Sequence, residues 1–329
     1  MKSEILNLFY SEPDPDRWIP YDRYPRRFVR RLIRGKRRIG GQEMVFLNLL
    51  AGLSRLGIPY RVNDYHYACK HPNELVGIIG KPHVLFKNDW QNPVLFGASV
   101  FSHPFNYPDL FNKYPVKVIL VPGPWIADMF RPYYGDKVQV WPVGIDTEYW
   151  STQKLTDYSK VLVYDKIRWN RNERELDLFN PIIAELQRSN IDYEVLRYGF
   201  YDPSQLKNVV QDIDAAIFIC EHETQGLAYQ QILSSDIPIF AWDHGGMWID
   251  PEFYPDFVKY QPVTSVPYFD DRCGMIFKDA KSFKEDFSIF WSNVKSAHFQ
   301  PREYILENLT LEKCAEEYLR IYSSIQDSL

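Results

Sequence analysis

Apolar and polar positions along this chain fall into two textures: short runs of β-branched and aromatic residues, and longer stretches with apolar residues three or four apart. The first predicts buried strands and the second amphipathic helices. Ile5–Phe9 reads as a first strand. After a Pro- and Arg-rich excursion, Ile39-Gly40-Gly41 opens a helix that carries Phe46, Leu49, Leu50, Leu53 and Leu56 on one stripe and stops at Gly57-Ile58-Pro59. Val84–Phe86, Val94–Phe96, Val116–Val121 and Val138–Trp141 are further strand candidates, giving one sheet-based unit that ends near residue 148. The pattern then restarts. Lys160–Tyr164 reads as a strand and Glu173–Arg188 as a helical run, with Pro181 inside it expected to kink or divide it. Tyr193–Arg197, Ala215–Ile219, Ile237–Ala241 and Gly274–Phe277 read as strands, with helices at Leu206–Val210 and Leu227–Leu233 between them. In the tail, Leu311, Ala315, Tyr318, Tyr322 and Ile325 share one helical face, and Thr310 is placed to cap it.

Strands alternating with helices predict α/β layers built on parallel sheets. At 329 residues the chain suits two domains of about 150 residues each. The expected division is 1–148, with a basic insertion at 13–38, then 149–305, then a terminal helix at 306–329, the halves joining near 146–152. Apolar residues make up 45% and charged residues 25%, a soluble globular balance. No apolar run approaches the roughly 20 residues that span a bilayer, and Met1–Leu6 is too polar for a secretory signal. Cys69, Cys220, Cys273 and Cys314 are scattered and form no CxxC pair, which predicts thiols in a reduced, cytoplasmic setting.

A net charge of −5 argues against nucleic-acid binding by the molecule as a whole. The charge is uneven, however. Residues 23–38 hold Arg23, Arg26, Arg27, Arg30, Arg31, Arg34, Lys36, Arg37 and Arg38 with no acid, and Phe28, Val29, Leu32 and Ile33 interrupt them at helical spacing. Such a stretch can lie on an anionic membrane at its inner face; a solvated face, or a lining for a phosphorylated substrate, are the alternatives.

Candidate chemistry gathers at strand ends. Cys220-Glu221-His222-Glu223-Thr224-Gln225-Gly226-Leu227 leaves a buried strand and opens a helix, so carboxylates meet the backbone N–H groups of a helix start. Gly40-Gly41 before a helix and Gly245-Gly246 after the strand Ile237–Ala241 let backbone approach a ligand; plain turns are the alternative. Lys166, Arg168 and Arg171 follow the strand ending at Tyr164-Asp165. His103 follows the strand Val94–Phe96, with His83 a rival. His66, Cys69 and His71 share one loop without a fourth ligand and read as structural. Asp212-Ile213-Asp214 precedes its strand, whereas a metal-binding Asp-x-Asp sits on a loop that follows one. There is no G-x-G-x-x-G after the first strand, no G-x-S-x-G and no Walker A pattern.

Between the halves, Pro142, Gly144, Ile145, Asp146 and Thr147 fit a linker that reads V-I-P-N-G-V-D-T, and Glu223, Gly226 and Leu227 fit E-G-F-G-L-x3-E. Lys166 and Arg171 are five apart, like the two cations of G-R-x4-K-G, with Arg and Lys exchanged. On these segments, in this order over roughly residues 39–280, the chain resembles the retaining family-4 glycosyltransferases of the GT-B fold. The resemblance implies two Rossmann-like domains facing across a cleft, with the C-terminal helix crossing back to the first. It implies metal-independent transfer of a sugar from a nucleotide-sugar donor to a glycan, lipid-linked or other acceptor, with retention at the anomeric carbon, as in polysaccharide biosynthesis. Lys166, Arg171, Glu223 and His103 would carry the chemistry. Gly40, Gly41, Arg168, Thr224, Gln225, Gly226, Leu227, Gln231, Gly245 and Gly246 would bind the donor, and no cofactor is expected. Gln231 stands where the family has its second glutamate, so it keeps hydrogen bonding without the charge. A shifted register would put Glu221 in place of Glu223. A non-catalytic nucleotide- or glycan-binding protein and a sugar-nucleotide epimerase are the alternatives.

Overall fold

The computed structural model describes residues 5–13, 40–98, 100–152 and 160–329. Residues 1–4, Ile39 and the basic stretch 23–38, with its expected membrane contact, lie outside the described residues. Through the first half run β1 (Leu6–Phe9), α1 (Gly41–Arg55), β2 (Tyr60–Val62), α2 (Tyr65–Lys70), β3 (Val76–Ile78), α3 (Pro82–Phe86) and β4 (Val94–Phe96). These are followed by α4 (Leu110–Lys113), β5 (Val116–Val121), α5 (Pro124–Tyr134) and β6 (Val138–Val140). The second half holds β7 (Lys160–Lys166), α6 (Arg171–Arg174), α7 (Asn180–Arg188), β8 (Asp192–Arg197), α8 (Pro203–Val209), β9 (Ala215–Cys220), α9 (Leu227–Ser234) and β10 (Ile239–Trp242). Last come β11 (Gly274–Phe277), α10 (Ala280–Lys295), α11 (Pro301–Asn308) and α12 (Leu311–Gln326). Among the described residues, no helix is long and apolar enough to cross a membrane, and none of the four cysteines forms a disulfide.

Two compact units result. The first takes the described residues through Val121, with Phe130–Trp141 and Ala315–Leu329; the second takes Pro122–Met129 and Pro142–Cys314. In the first, six parallel strands lie in the order β2-β1-β3-β4-β5-β6. Helix α1 ends as its sequence predicts: Gly57 adopts φ +69°, and the Ile58 N–H reaches back to the Leu53 carbonyl at 2.9 Å, a left-handed glycine stop.

Two neighbouring expectations are corrected here. Val84–Phe86 is not a strand but most of α3, which Pro82 starts from its first turn. The strand that fills the sheet is Val76–Ile78, whose central glycine hid it. Gly77 is required there by packing, because a Cβ would lie 2.1 Å from the Tyr318 hydroxyl oxygen. Tyr318 is buried on α12 with its ring 5.1 Å from Trp141, and the Tyr322 hydroxyl donates to the Leu75 carbonyl. The expected cap also forms: Thr310 Oγ1 accepts the Lys313 N–H at 3.2 Å.

The second unit has five parallel strands in the order β11-β10-β9-β7-β8. Alternation along the strands separates two cores. Leu162, Tyr164, Ala216, Phe218 and Ile239 face one cluster with Tyr229, Ile232 and Leu233 of α9. Val161, Val163, Ile217, Ile219 and Phe240 face the other with Leu178, Ile182 and Leu186 and with Phe283, Phe287 and Phe290 of α10. Helices thus cover both faces, as a buried parallel sheet requires. The run containing Pro181 is divided, as expected: a π-helical stretch at Glu175–Phe179 separates α6 from α7, and Pro181 stands in the first turn of α7.

Candidate functional site

Counted within the second unit, the strands lie in the order 5-4-3-1-2, so the chain reverses its direction of winding between β7 and β9. Crossovers leave from opposite faces at that point, and the carboxyl ends of the two strands frame a crevice where open α/β sheets take ligands. The two strand ends are Lys166 and Cys220, which are paired in register.

Lys166 makes an ion pair with Glu223, and both side chains are largely buried. Burial alone would favour the neutral amine, but the Glu223 carboxylate outweighs it and raises the Lys166 pKa above its ordinary value. The ammonium also sits 4.4 Å above the Tyr198 ring. Glu223 is fixed through its backbone: its N–H donates to the Thr264 carbonyl at 3.0 Å, and its carbonyl accepts the Trp125 indole N–H at 2.8 Å. The Asp243 carboxylate accepts from Thr264 Oγ1 at 2.7 Å and from the Ser265 N–H at 3.2 Å. The segment around Thr264 therefore ties the loop after β9 to the Asp243–Gly246 loop after β10. There Gly245 adopts φ +62°, and the Gly246 N–H donates to His244 Nδ1 at 2.9 Å.

Glu221 has different work. It is buried, and its carboxylate accepts the backbone N–H groups of Arg168 and Trp169 at 3.0 and 3.1 Å. Glu221 thus holds the loop after β7, while Glu223 meets the lysine. Arg171 lies at the start of α6, where its guanidinium is held by Asp165 at 2.6 Å and Glu175 at 2.9 Å. Two carboxylates oppose this cation, so its net field is weaker than the sequence suggested. Arg168 is exposed; it stacks on Trp169 with Cζ 4.2 Å from the ring centroid and donates to the His222 carbonyl at 2.7 Å.

His222 was not singled out by the sequence, since it sits between two acids in a segment that reads as a solvated loop. It is 3% exposed, with ring centroids of Trp125 and Trp169 5.5 and 5.0 Å away. Burial, aided by Arg168, His244 and Lys166, pushes its pKa down to about 3, so the ring is neutral. Arg168 can only donate, and its Nη2 lies 3.3 Å from Nδ1, which places the proton on Nε2. That Nε2 is buried without a hydrogen-bond partner.

Gly226 caps α9 with φ +86° and no side-chain cap, leaving the first N–H groups of Leu227 and its neighbours at the positive end of the helix. Thr224 is exposed, and its carbonyl packs where Gly123 lacks a Cβ. Gln225 is placed differently from a ligand contact. Its amide accepts the Val143 N–H at 2.9 Å and donates to the Val143 carbonyl at 2.7 Å and to Gln230 Oε1 at 3.1 Å. A donor contact from this buried side chain would break those bonds. Replacing Gln225 with alanine is expected to orphan both Val143 groups and lower the unfolding free energy by at least ~2 kcal/mol, read from urea denaturation; an unchanged midpoint would remove the clamp. Gln231 is half-buried on α9, its carbonyl accepting from Ser235 N and Oγ at 3.2 and 3.1 Å.

The remaining candidates belong to the first unit. His103 Nδ1 accepts the Phe105 N–H at 3.1 Å, while the His103 N–H donates to Asn106 Oδ1 at 3.2 Å, a reciprocal cap of the short 3-10 turn Pro104–Asn106. Burial lowers its pKa to about 4. It is a neutral capping histidine packed on Phe105 and Tyr133, which differs from the exposed group a reacting sugar would meet. His83 instead lies at strand ends, its Nε2 2.9 Å from Oγ of Ser11 just beyond β1. A Cβ at Gly40 or Gly41 would meet nothing within 4 Å, so internal packing demands neither glycine.

Solved structures share this architecture. Sucrose-phosphate synthase from Thermosynechococcus elongatus matches with a TM-score of 0.59 at 12% identity, over 99% of this chain and 100% of that one. The fold is GT-B. WaaG, a glycosyltransferase involved in lipopolysaccharide biosynthesis, gives 0.54 at 9% identity, over 97% of this chain and 99% of its own. TarM gives 0.55 at 13% identity over 78% of this chain, which spans only 57% of TarM. A mutant of S. aureus TarM has a crystal structure in complex with fondaparinux, α-GlcNAc-glycerol and UDP. At these identities the likeness to GT-B proteins speaks for the fold alone. No protein-family model matches the sequence, and no curated protein is significantly similar to it.

Proposed function

We propose that this protein is a glycosyltransferase whose second unit takes a nucleotide-sugar donor at the crevice between β7 and β9. The observation that carries the reading is the buried Lys166–Glu223 pair beside the uncapped start of α9, at the point where the strand order reverses. A diphosphate would face the Lys166 ammonium, the Arg168 guanidinium and the N–H groups of α9. Glu223 would accept hydrogen bonds from hydroxyls of the donor sugar. Arg171, held by two acids, acts as a positioning residue for the loop after β7. The UDP bound to TarM is a precedent for this ligand class.

In the reaction proposed, the bond from the anomeric carbon to the leaving phosphate oxygen breaks as the acceptor oxygen bonds to the same carbon from the same face. The acceptor's proton passes to the departing phosphate, so configuration is retained and no protein base is needed. Preorganised donors facing the charge that develops on the diphosphate are each worth about 3–4 kcal/mol of barrier. The reaction needs no metal, and the acceptor is a glycan or lipid-linked sugar.

Gln231 supports a second reading, a nucleotide- or glycan-binding protein without turnover, because it stands where the resembled family has its second glutamate and leaves the donor site one carboxylate short. Calorimetry with UDP, GDP, dTDP and ADP, followed by transfer assays on the matching sugar nucleotides with and without a chelator, tests both. One selectively bound nucleotide with chelator-resistant transfer is the expected result. Binding without transfer across glycan and lipid-linked acceptors would favour the second reading, and binding of none of the four would end both.

A further inference from the structure

The sheet of the second unit is open at β8, and β8 is unlike the other edges. It holds six residues, Asp192–Arg197, where β2 and β6 hold three each and β11 four. It pairs with β7 in an unbroken register and contains no proline, glycine or lysine. Short length, proline, lysine and bulges are what ordinarily keep an edge from pairing with another chain. The direction of its backbone groups follows from one bond. The Tyr198 N–H donates inward to the Asp165 carbonyl of β7 at 2.8 Å, so even-numbered positions face β7 and odd ones turn away. The N–H groups of Tyr193, Val195 and Arg197 therefore point off the sheet, and among the described residues no strand lies beyond them. Solvent reaches this edge at its middle and at both ends: Val195 is 39% exposed, and Asp192 and Arg197 are exposed.

We propose that β8 is a two-fold interface with a second copy of this chain, in which the two edges pair antiparallel about Val195 and join two five-stranded sheets into one. Charge selects the direction. β8 starts with Asp192 and ends with Arg197, so antiparallel pairing lays each acidic end beside the basic end of the other copy, whereas parallel pairing would oppose like charges. Symmetry and charge then select the register. A dyad perpendicular to the sheet keeps each residue on its own face, so residues opposite one another must be both even or both odd. Two such registers overlap most fully. Centring on Glu194 sets the carboxylates of both copies directly opposite each other, which destabilises. Centring on Val195 instead packs that residue against its own copy, in a pair with Cα atoms ~5.5 Å apart that exchanges both backbone bonds. It also sets Tyr193 opposite the second copy's Arg197, so that a guanidinium meets a ring. Glu194 meanwhile keeps its own Lys160, 2.6 Å away on β7. Both partners present the same patch, so the contact closes on itself as a dimer. The dyad turns the two crevices, at the carboxyl ends of β7 and β9, to opposite edges of the joined sheet, and the interface stands apart from the donor reading.

Sedimentation velocity of the full chain over a range of concentrations tests it. The wild type should pass from the mass of one chain to that of two as concentration rises. Val195→Asp and Val195→Lys each set like charges face to face on the dyad and should weaken the dimer at least about tenfold. The position is exposed, so both variants should unfold close to the wild-type urea midpoint. Mixed in equal amounts they should regain dimer, because the dyad then holds one carboxylate and one ammonium. A wild type that keeps the mass of one chain at every concentration overturns the interface. So does a wild-type dimer that either substitution leaves equally tight, or a mixture no more associated than its components.

Discussion

Lys166→Ala is expected to lose both stability and turnover, and a second substitution should return only the first. The ammonium and Glu223 are buried together. Removing one partner leaves a carboxylate in a poorly solvated site, which typically costs about 3–5 kcal/mol. Because the folded pKa of Lys166 is raised, its share of that stability is complete at neutral pH. It is lost only as alkaline pH passes through the raised folded value. The double variant Lys166→Met with Glu223→Leu replaces both charges by apolar groups and should recover most of the unfolding free energy. Turnover should stay down at least about a hundredfold in both, since the group opposing the leaving phosphate is gone. Chemical denaturation and transfer kinetics on the same three proteins separate the two effects. A single variant as stable as the wild type would mean that the pair is not buried as described. A double variant with wild-type rates would remove Lys166 from the reaction.

The second large effect is expected at Gly226. Alanine there meets two obstacles at once. The backbone at φ +86° is unfavourable for any residue with a Cβ, by about 1–2 kcal/mol. The added carbon would also lie 2.1 Å from Cε1 of Tyr229. Tyr229 cannot move aside cheaply, for it is fully buried and its hydroxyl accepts the Tyr268 N–H at 3.1 Å. Crowding of this kind in a packed core adds about 1–3 kcal/mol. Gly226→Ala should therefore unfold at distinctly lower urea concentration. Gly226→Ala with Tyr229→Leu should not be rescued fully, because the dihedral penalty persists while a cavity opens. A loss below about 0.5 kcal/mol in the single variant would show that α9 can start from another conformation.

Most strands and the alternation of layers were legible in the sequence because each depends on neighbours within a few residues. Val161–Val163 and Ala215–Ile219 announce buried strands by composition alone. The errors fall where the deciding partner is remote. Val76–Ile78 contains a glycine that only Tyr318 explains, and Val84–Phe86 is an apolar run too short to show its period. The site divides in the same way. The helix start at Gly226-Leu227 was visible from its glycine. Which glutamate meets a lysine was not, because Lys166 lies 57 positions from Glu223. The clamp made by Gln225 was equally hidden, its partner Val143 standing 82 positions away. His222 carried no local signal, and its burial comes from Trp125 and Trp169 closing over it.

The last helix has a bearing on how the polypeptide is made. Tyr318 and Tyr322 complete the packing around Gly77, Leu75 and Trp141, and Ala315–Leu329 belongs with residues synthesised far earlier. During translation the leading half must wait, its interior incomplete, until the whole trailing half has left the ribosome. No single cut yields the leading half intact, so a fragment meant to represent it would need that helix grafted back in sequence.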